Sequence, residues 1–241
     1  MGKGVEPMDL FAAEIQPPFQ PPSNSEVQLV LFAEDGVHAD LAETGEYLSR
    51  CAHYAIRHKL YLATGLFLYD STLCLCLLGP DGMPVLRQGS ICPPAQGEGG
   101  QTADRVEVVP TRLGNLCLCV GEDILHPQVL RAAALKGADL VLAVQQLDPA
   151  AETPCMRLFS AWDAAQTNNL YVIHYAAGKV SVCCPAGVTR AGDGWLVRPT
   201  DGLPVHFGLN MARLDEVRQQ FQLLEGLNPE LAQHYAMELG R

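Results

Sequence analysis

Lysine is scarce in this chain. Only Lys3, Lys59, Lys136 and Lys179 occur, and Lys and Arg together number 16 against 27 acids, for a formal net charge of -11. No basic cluster stands out along the sequence. Nucleic acid and anionic membrane both demand concentrated positive charge, so neither is expected as a partner. No apolar run reaches the length of about 18 residues that a membrane-spanning helix needs, so no such helix is expected. The opening "MGKGVEPMDLFAAEIQPP" lacks a long apolar core and soon meets prolines, so no export signal is expected either. Met1-Gly2 begins a myristoylation motif, but Glu6 stands where that motif wants Ser or Thr. Phosphate loops, dinucleotide fingerprints and a His-x-x-x-His helix face are absent as well.

What is present is apolar. Hydrophobic residues make up 48% of the 241 positions and charged residues 18%, which describes a chain able to bury a core. The nine cysteines, an odd number, lie mostly inside apolar runs. That usage suits reduced, buried thiols and a cytoplasmic setting better than a disulfide framework. The pairs Cys74/Cys76 and Cys117/Cys119 each put two thiols on one face of a strand, but Cys-x-Cys in a leucine-rich run is not a zinc-knuckle spacing. Neither a metal nor a cofactor is expected.

Periodicity separates strands from helices. "LFAAEI" (10–15) and "EVQLVLFAED" (26–35) are strands, joined by "QPPFQPPSNS" (16–25), whose prolines exclude a helix. Residues 40–59 have helical spacing, with Leu41, Tyr47, Leu48, Cys51, Tyr54 and Ala55 near one face. Residues 60–70 and 71–80 are strands before an Asp81-Gly82 turn, and 91–104 is a polar loop. Strands at 105–110 and 115–120 flank the turn "TRLG". Pro127 opens a helix that Gly137 stops, and a strand (138–144) and a helix (155–169) follow. Four strands (170–176, 179–185, 194–199, 204–210), a helix (211–226) and a terminal helix (228–241) complete an α/β chain. The expected organisation is a Pro-rich segment with a first strand (1–25) and one domain (26–241).

The stretch "LCLCVGEDILHP" (116–127) is a strand, a tight turn and a helix start, a common mount for a nucleophile. With Leu113-Gly114, Asp123, Pro127, Arg131 and Gly137-Ala138-Asp139 around it, it resembles the signature region of the carbon–nitrogen hydrolase, or nitrilase, superfamily. "LVLFAEDG" (29–36) is similar to that family's strand ending in its catalytic glutamate, here Glu34. "NNLYVIHYA" (168–176) and "LDEVRQQFQLLEGLNPEL" (214–231) resemble further family segments. The resemblance implies a four-layer α-β-β-α sandwich. It also implies attack by a cysteine thiolate on an amide or nitrile carbon, with a glutamate base and a lysine that stabilises the intermediate.

Two of the three reactive positions depart from that pattern. Counting back from Pro127, the nucleophile's place is Gly121, which has no side chain to form an adduct. The lysine's place falls at Gln88 in "LRQGSI", and Arg87 beside it points to the opposite strand face. Cys119 lies on the same side of a regular strand as Gly121, but about 6.6 Å further back, too far for reacting atoms. It is expected to be a small buried hydrophobe. Asp123 is expected to buttress the turn, and Glu122 either to pair with Glu34 as a two-acid site or to lie solvated.

The expectation is therefore a family-fold protein without cysteine hydrolase activity. It would act as a binding or assembly subunit, with Glu34, Gln88 and Gly121 around a pocket for a small amide or carboxylate and Glu122, Asp123 and Cys119 beside it. The rival expectation is an active carbon–nitrogen hydrolase with altered catalytic residues, using water with Glu34 or Glu122, or a shifted Cys119. Homo-oligomerisation is implied by the resemblance. The short, proline-rich link between the first two strands leaves no room for the family's first outer helix. Its loss exposes a sheet face for a protein partner, unless Phe19 and the Pro-rich segment cover that face.

Overall fold

The computed structural model describes residues 8–92, 100–146 and 153–226, with 228, 230 and 234. Most of the terminal helix expected at 228–241 lies outside the described residues, as does part of the 91–104 loop. The elements run β1 (Leu10–Gln16), β2 (Val27–Phe32), β3 (Val37–His38), α1 (Leu41–His58), β4 (Tyr61–Ala63), β5 (Leu66–Tyr69), β6 (Thr72–Leu78), β7 (Pro84–Gly89), β8 (Val108–Thr111), β9 (Gly114–Val120), α2 (Pro127–Leu135), β10 (Leu140–Gln145), α3 (Pro154–Asn168), β11 (Tyr171–Ala176), β12 (Lys179–Cys183), β13 (Trp195–Thr200), β14 (Val205–Asn210) and α4 (Met211–Gln220).

Two sheets form. One has the order β14-β1-β2-β4-β6-β5-β3 with β7 added against β6; the other has the order β13-β12-β11-β10-β9-β8. Alternation along each strand decides the layers. Leu29 and Leu31 of β2, Leu75 and Leu77 of β6, Leu116 and Leu118 of β9, and Leu140 and Leu142 of β10 meet between the sheets. Each such fully buried leucine contributes roughly 1.5–3 kcal/mol relative to exposure. The opposite faces are covered by helices: Val30 and Phe32 pack under Tyr47, Cys51 and Tyr54 of α1. Cys117, Val141 and Val172 pack under Leu130 of α2 and Ala161 and Ala165 of α3. The result is a four-layer α-β-β-α sandwich.

Local chemistry sets the helix ends. The Asp40 carboxylate accepts from the N–H groups of Ala42 and Glu43 at the start of α1, as N-caps do. Pro127 begins α2, where its missing N–H costs nothing, and Gly137 follows the helix with φ 83. One apolar assignment fails: Leu41 is 78% exposed, because it stands in the first turn of α1, ahead of the face that Thr44, Tyr47 and Cys51 bury.

No helix lies between β1 and β2, which pair in parallel through residues 17–26 alone. The face this leaves is not open. Phe19 stands edge-on to Phe32 at 5.2 Å and to Tyr47 at 6.0 Å. The Ser23 N–H and hydroxyl donate to the Glu14 carboxylate, and the Gln16 side-chain amide and the Tyr54 hydroxyl both donate to the Gln20 carbonyl. The expected uncovered sheet face is thus corrected: the Pro-rich segment replaces the helix as its cover. No helix among the described residues is long and apolar enough to cross a membrane.

Candidate functional site

The site end of the sandwich lies where β2 and β9 finish. β9 stops at Val120 and passes into a 3-10 turn, Gly121–Leu125, before α2. Gly121 has φ +60, the left-handed region that costs an L-residue roughly 1–2 kcal/mol. A Cβ placed on it would sit 3.2 Å from Leu73 Cδ2 of the facing sheet. A side chain at 121 would therefore project toward Leu73, which packs on the inter-sheet core. Cys119 belongs instead to the cluster beneath α2 and α3. The expectation that Cys119 and position 121 share a side is corrected, because regular strand geometry ends at Val120. Burial, then Asp123, holds the Cys119 thiol well above its ordinary range, and the same causes push Cys117 up to about 12. These thiols are neutral at pH 7.

Asp123 follows the elbow and is 1% exposed. Its carboxylate accepts from the Ile91 N–H at 2.9 Å, the Cys92 N–H at 2.8 Å and the Ser90 hydroxyl at 3.4 Å. It binds the end of the β7 segment to the turn after β9. Burial raises its pKa, while the hydrogen bonds from Cys92 and Ile91 oppose the rise. Cys92 is the thiol brought to this carboxylate; burial first, then Asp123, pushes it up to about 11. Glu122 lies next to them, partly buried.

Gln88 is 3% exposed on β7, opposite Leu75 of β6, on the face two residues along from Leu73. Its amide nitrogen donates to the carbonyls of Gly89 and Arg105, and its amide oxygen accepts from the Glu107 N–H at 2.8 Å. The amide holds residues 105–107 in place. Arg87 faces the other way, its guanidinium 3.7 Å over the Tyr69 ring.

Glu34 stands just beyond β2 and is partly exposed. Its Oε1 lies 3.1 Å from His38 Nε2. The His38 ring stacks on Tyr47 at 3.8 Å, and the Tyr47 hydroxyl accepts from the Gly65 N–H at 2.7 Å. Burial, then Cys51 and Glu34, holds the Tyr47 phenol well above its ordinary range. A Cβ on Gly65 would lie 2.7 Å from Glu34 Oε2, so that oxygen keeps its place only against glycine. Glu34 Oε2 is buried and meets no donor in regular hydrogen-bond geometry, although the Tyr47 hydroxyl is coupled to this carboxylate. Next to it, Asp35 accepts from the Tyr175 hydroxyl at 2.6 Å and ties the two sheets together. His38, Tyr47 and Gly65 carry no sequence signal for this role, since a long-range fold gathers them.

Neither a family model nor a curated protein sequence matches the chain. Solved structures do. The NitFhit protein of C. elegans superposes with a TM-score of 0.72 at 12% identity, over 93% of this chain and 66% of that one. The carbon-nitrogen hydrolase of Helicobacter pylori G27 gives 0.72 at 15%, over 97% and 99%. Saccharomyces cerevisiae Nit3, a member of branch 10 of the nitrilase superfamily, gives 0.71 at 13%, over 89% and 95%. The fold is the nitrilase fold. At these identities the likeness concerns the fold alone, and the chain spans just under two thirds of NitFhit.

The nitrilase fold also separates the two cysteine pairs. Cys74 and Cys76 lie under α1, whereas Cys117 and Cys119 lie under α2 and α3, on opposite sides of the sandwich. Four thiolates cannot meet. No group of three or more His, Cys, Asp or Glu placed to hold a metal occurs among the described residues.

Proposed function

We propose that this chain is a nitrilase-fold protein without cysteine amidase or nitrilase chemistry, acting as a binding or assembly subunit that pairs with its own copies. The observation that carries the proposal is the contact between Gly121 and Leu73: position 121 has no nucleophile, and an apolar side chain of the other sheet stands where one would project. Gln88 supports it, because its whole amide is taken up by the backbone of Gly89, Arg105 and Glu107 and has nothing left for a developing oxyanion. The remaining ligand group is Glu34 Oε2, an acceptor that no donor meets in regular geometry, which suits the N–H of a small amide that displaces the coupled Tyr47 hydroxyl.

The rival, an active hydrolase using Cys119 or water, is separated by labelling with a thiol-reactive amide analogue alongside an amide turnover panel. The expected outcome is no turnover and no stoichiometric adduct on Cys119. Stoichiometric labelling of Cys119, abolished by Glu34→Ala, sinks the proposal. The Gly121→Cys and Gln88→Lys pair adds a second arm. With Leu73 in place it is expected to stay inactive, and turnover by that pair would show that Leu73 does not block the elbow.

A further inference from the structure

An open cleft of about 630 Å³ lies at the opposite end of the sandwich, where β2 begins, α1 ends and the β8–β9 hairpin turns. It is roughly 20 Å from Gly121, the length of a seven-residue strand. Arg57, His58 and Lys59 line it from the end of α1, and Arg112 from the hairpin turn. Asn24, Ser25 and Gln28 add neutral polar groups, and no carboxylate is among the lining residues. In a chain with 27 acids and 16 cations, three cations around one acid-free cavity is a concentration the overall charge opposes, and His58 beside them has its pKa lowered by burial. Among the described residues, no ion pair engages Arg57, Lys59 or Arg112.

Arg112 supplies the second observation. One of its terminal nitrogens donates to Gln28 Oε1 at 2.6 Å, which fixes the guanidinium at the cleft wall. Its Nε–H is shielded from water and has no acceptor. A guanidinium with an unmet donor beside a cavity gains from any oxyanion that lets it turn and complete a two-point contact. The carbonyl end of α1, which would repel an anion, is partly closed: the N–H groups of Lys59 and Leu60 cap Ile56 and Ala55. The volume falls within the usual range for small-molecule sites.

We infer that this cleft binds a small soluble polyanion, a phosphorylated or polycarboxylate metabolite, through Arg57, Lys59 and Arg112. The inference stands apart from the proposed loss of hydrolase chemistry, because no residue of the Glu34 corner takes part.

Inorganic pyrophosphate is the probe, titrated calorimetrically into the whole chain, with citrate as competitor. Saturable one-to-one binding that weakens with added salt is expected. Arg112→Gln and Lys59→Glu are each expected to weaken it by about tenfold or more. Arg198→Gln, which removes a cation of the β13 strand, leaves it unchanged. Lys59 is exposed, so its variant keeps the test valid if Arg112→Gln fails to fold. Displacement of pyrophosphate by citrate assigns the site to polyanions generally; failure of citrate assigns it to phosphates. Unsaturable binding, equal binding in Lys59→Glu and Arg198→Gln, or uptake by phosphatidylglycerol vesicles without pyrophosphate binding each overturns the inference.

Discussion

Asp123 and Glu34 stand at the same end of the sandwich, one after β9 and one after β2, and their surroundings differ. Asp123 is buried, and both of its oxygens accept from the 90–92 segment. Glu34 is partly exposed, gives one oxygen to His38 and holds the other near the Tyr47 hydroxyl without regular hydrogen-bond geometry. The first carboxylate is architecture: it closes a turn whose N–H groups have nowhere else to go. The second has binding capacity left over. In the nitrilase fold of this chain, Asp123 holds the turn after β9 in place, and that turn begins at Gly121.

Asp123 is the costlier of the two acids to remove. Asp123→Ala leaves the N–H groups of Ile91 and Cys92 without an acceptor in a buried place, while the Ser90 hydroxyl keeps the Cys92 carbonyl. The expected loss is about 4 kcal/mol of unfolding free energy, measured by urea denaturation, with Asp123→Asn recovering part of it. A loss below about 1 kcal/mol would show that water or a neighbour replaces the carboxylate, and the distinction between the two acids would vanish.

The outer face of the same sheet offers a polar site of a third kind. His174 is 2% exposed, with Nε2 2.7 Å from Gln145 Oε1 and Nδ1 3.5 Å from the Ser181 hydroxyl. Burial lowers its pKa from 6.5 to about 4. Between those values the unfolded chain takes a proton that the folded chain refuses, so this stability is present above pH 6.5 and is lost as pH falls toward 4. The wild-type minus His174→Gln stability difference is expected to fall by about 3 kcal/mol across that window. A flat difference profile would mean that folding leaves the His174 pKa where it is in the unfolded chain.

The β9–α2 unit was legible in the sequence because its signals are local: alternation from Leu116 to Val120, a proline at the first helical position and a glycine after the last. The side of each β9 residue followed from alternation up to Val120 and failed at Gly121, where one left-handed residue redirects the chain. What stands opposite a strand face is not written in that strand. Leu73 over Gly121, Gly65 against Glu34, and Arg112 beside Gln28 are meetings between segments far apart in the chain, and only sheet pairing makes them. The basic cleft escaped a linear reading for the same reason: Arg112 enters it from a hairpin far from the Arg57-His58-Lys59 run. Leu41 failed differently, since periodicity marks a face without marking where a helix leaves the core.

Substitution at Glu34 is expected to change stability little. Glu34→Gln removes the charge that faces His38 but keeps the size and one carbonyl oxygen of the side chain. The pair is about a quarter exposed on each side chain, at 26% and 24%, so water already screens it. Such pairs contribute roughly 0.2–1 kcal/mol. The substitution is therefore expected to change unfolding free energy by less than about 1 kcal/mol, against several for Asp123. The same variant is expected to lose whatever amide ligand the Oε2 acceptor holds, because the side-chain NH2 can occupy that position and repel a donor. A stability loss above about 2 kcal/mol would place Glu34 with Asp123 among the residues that hold the fold, and would remove the reason to look for a ligand there.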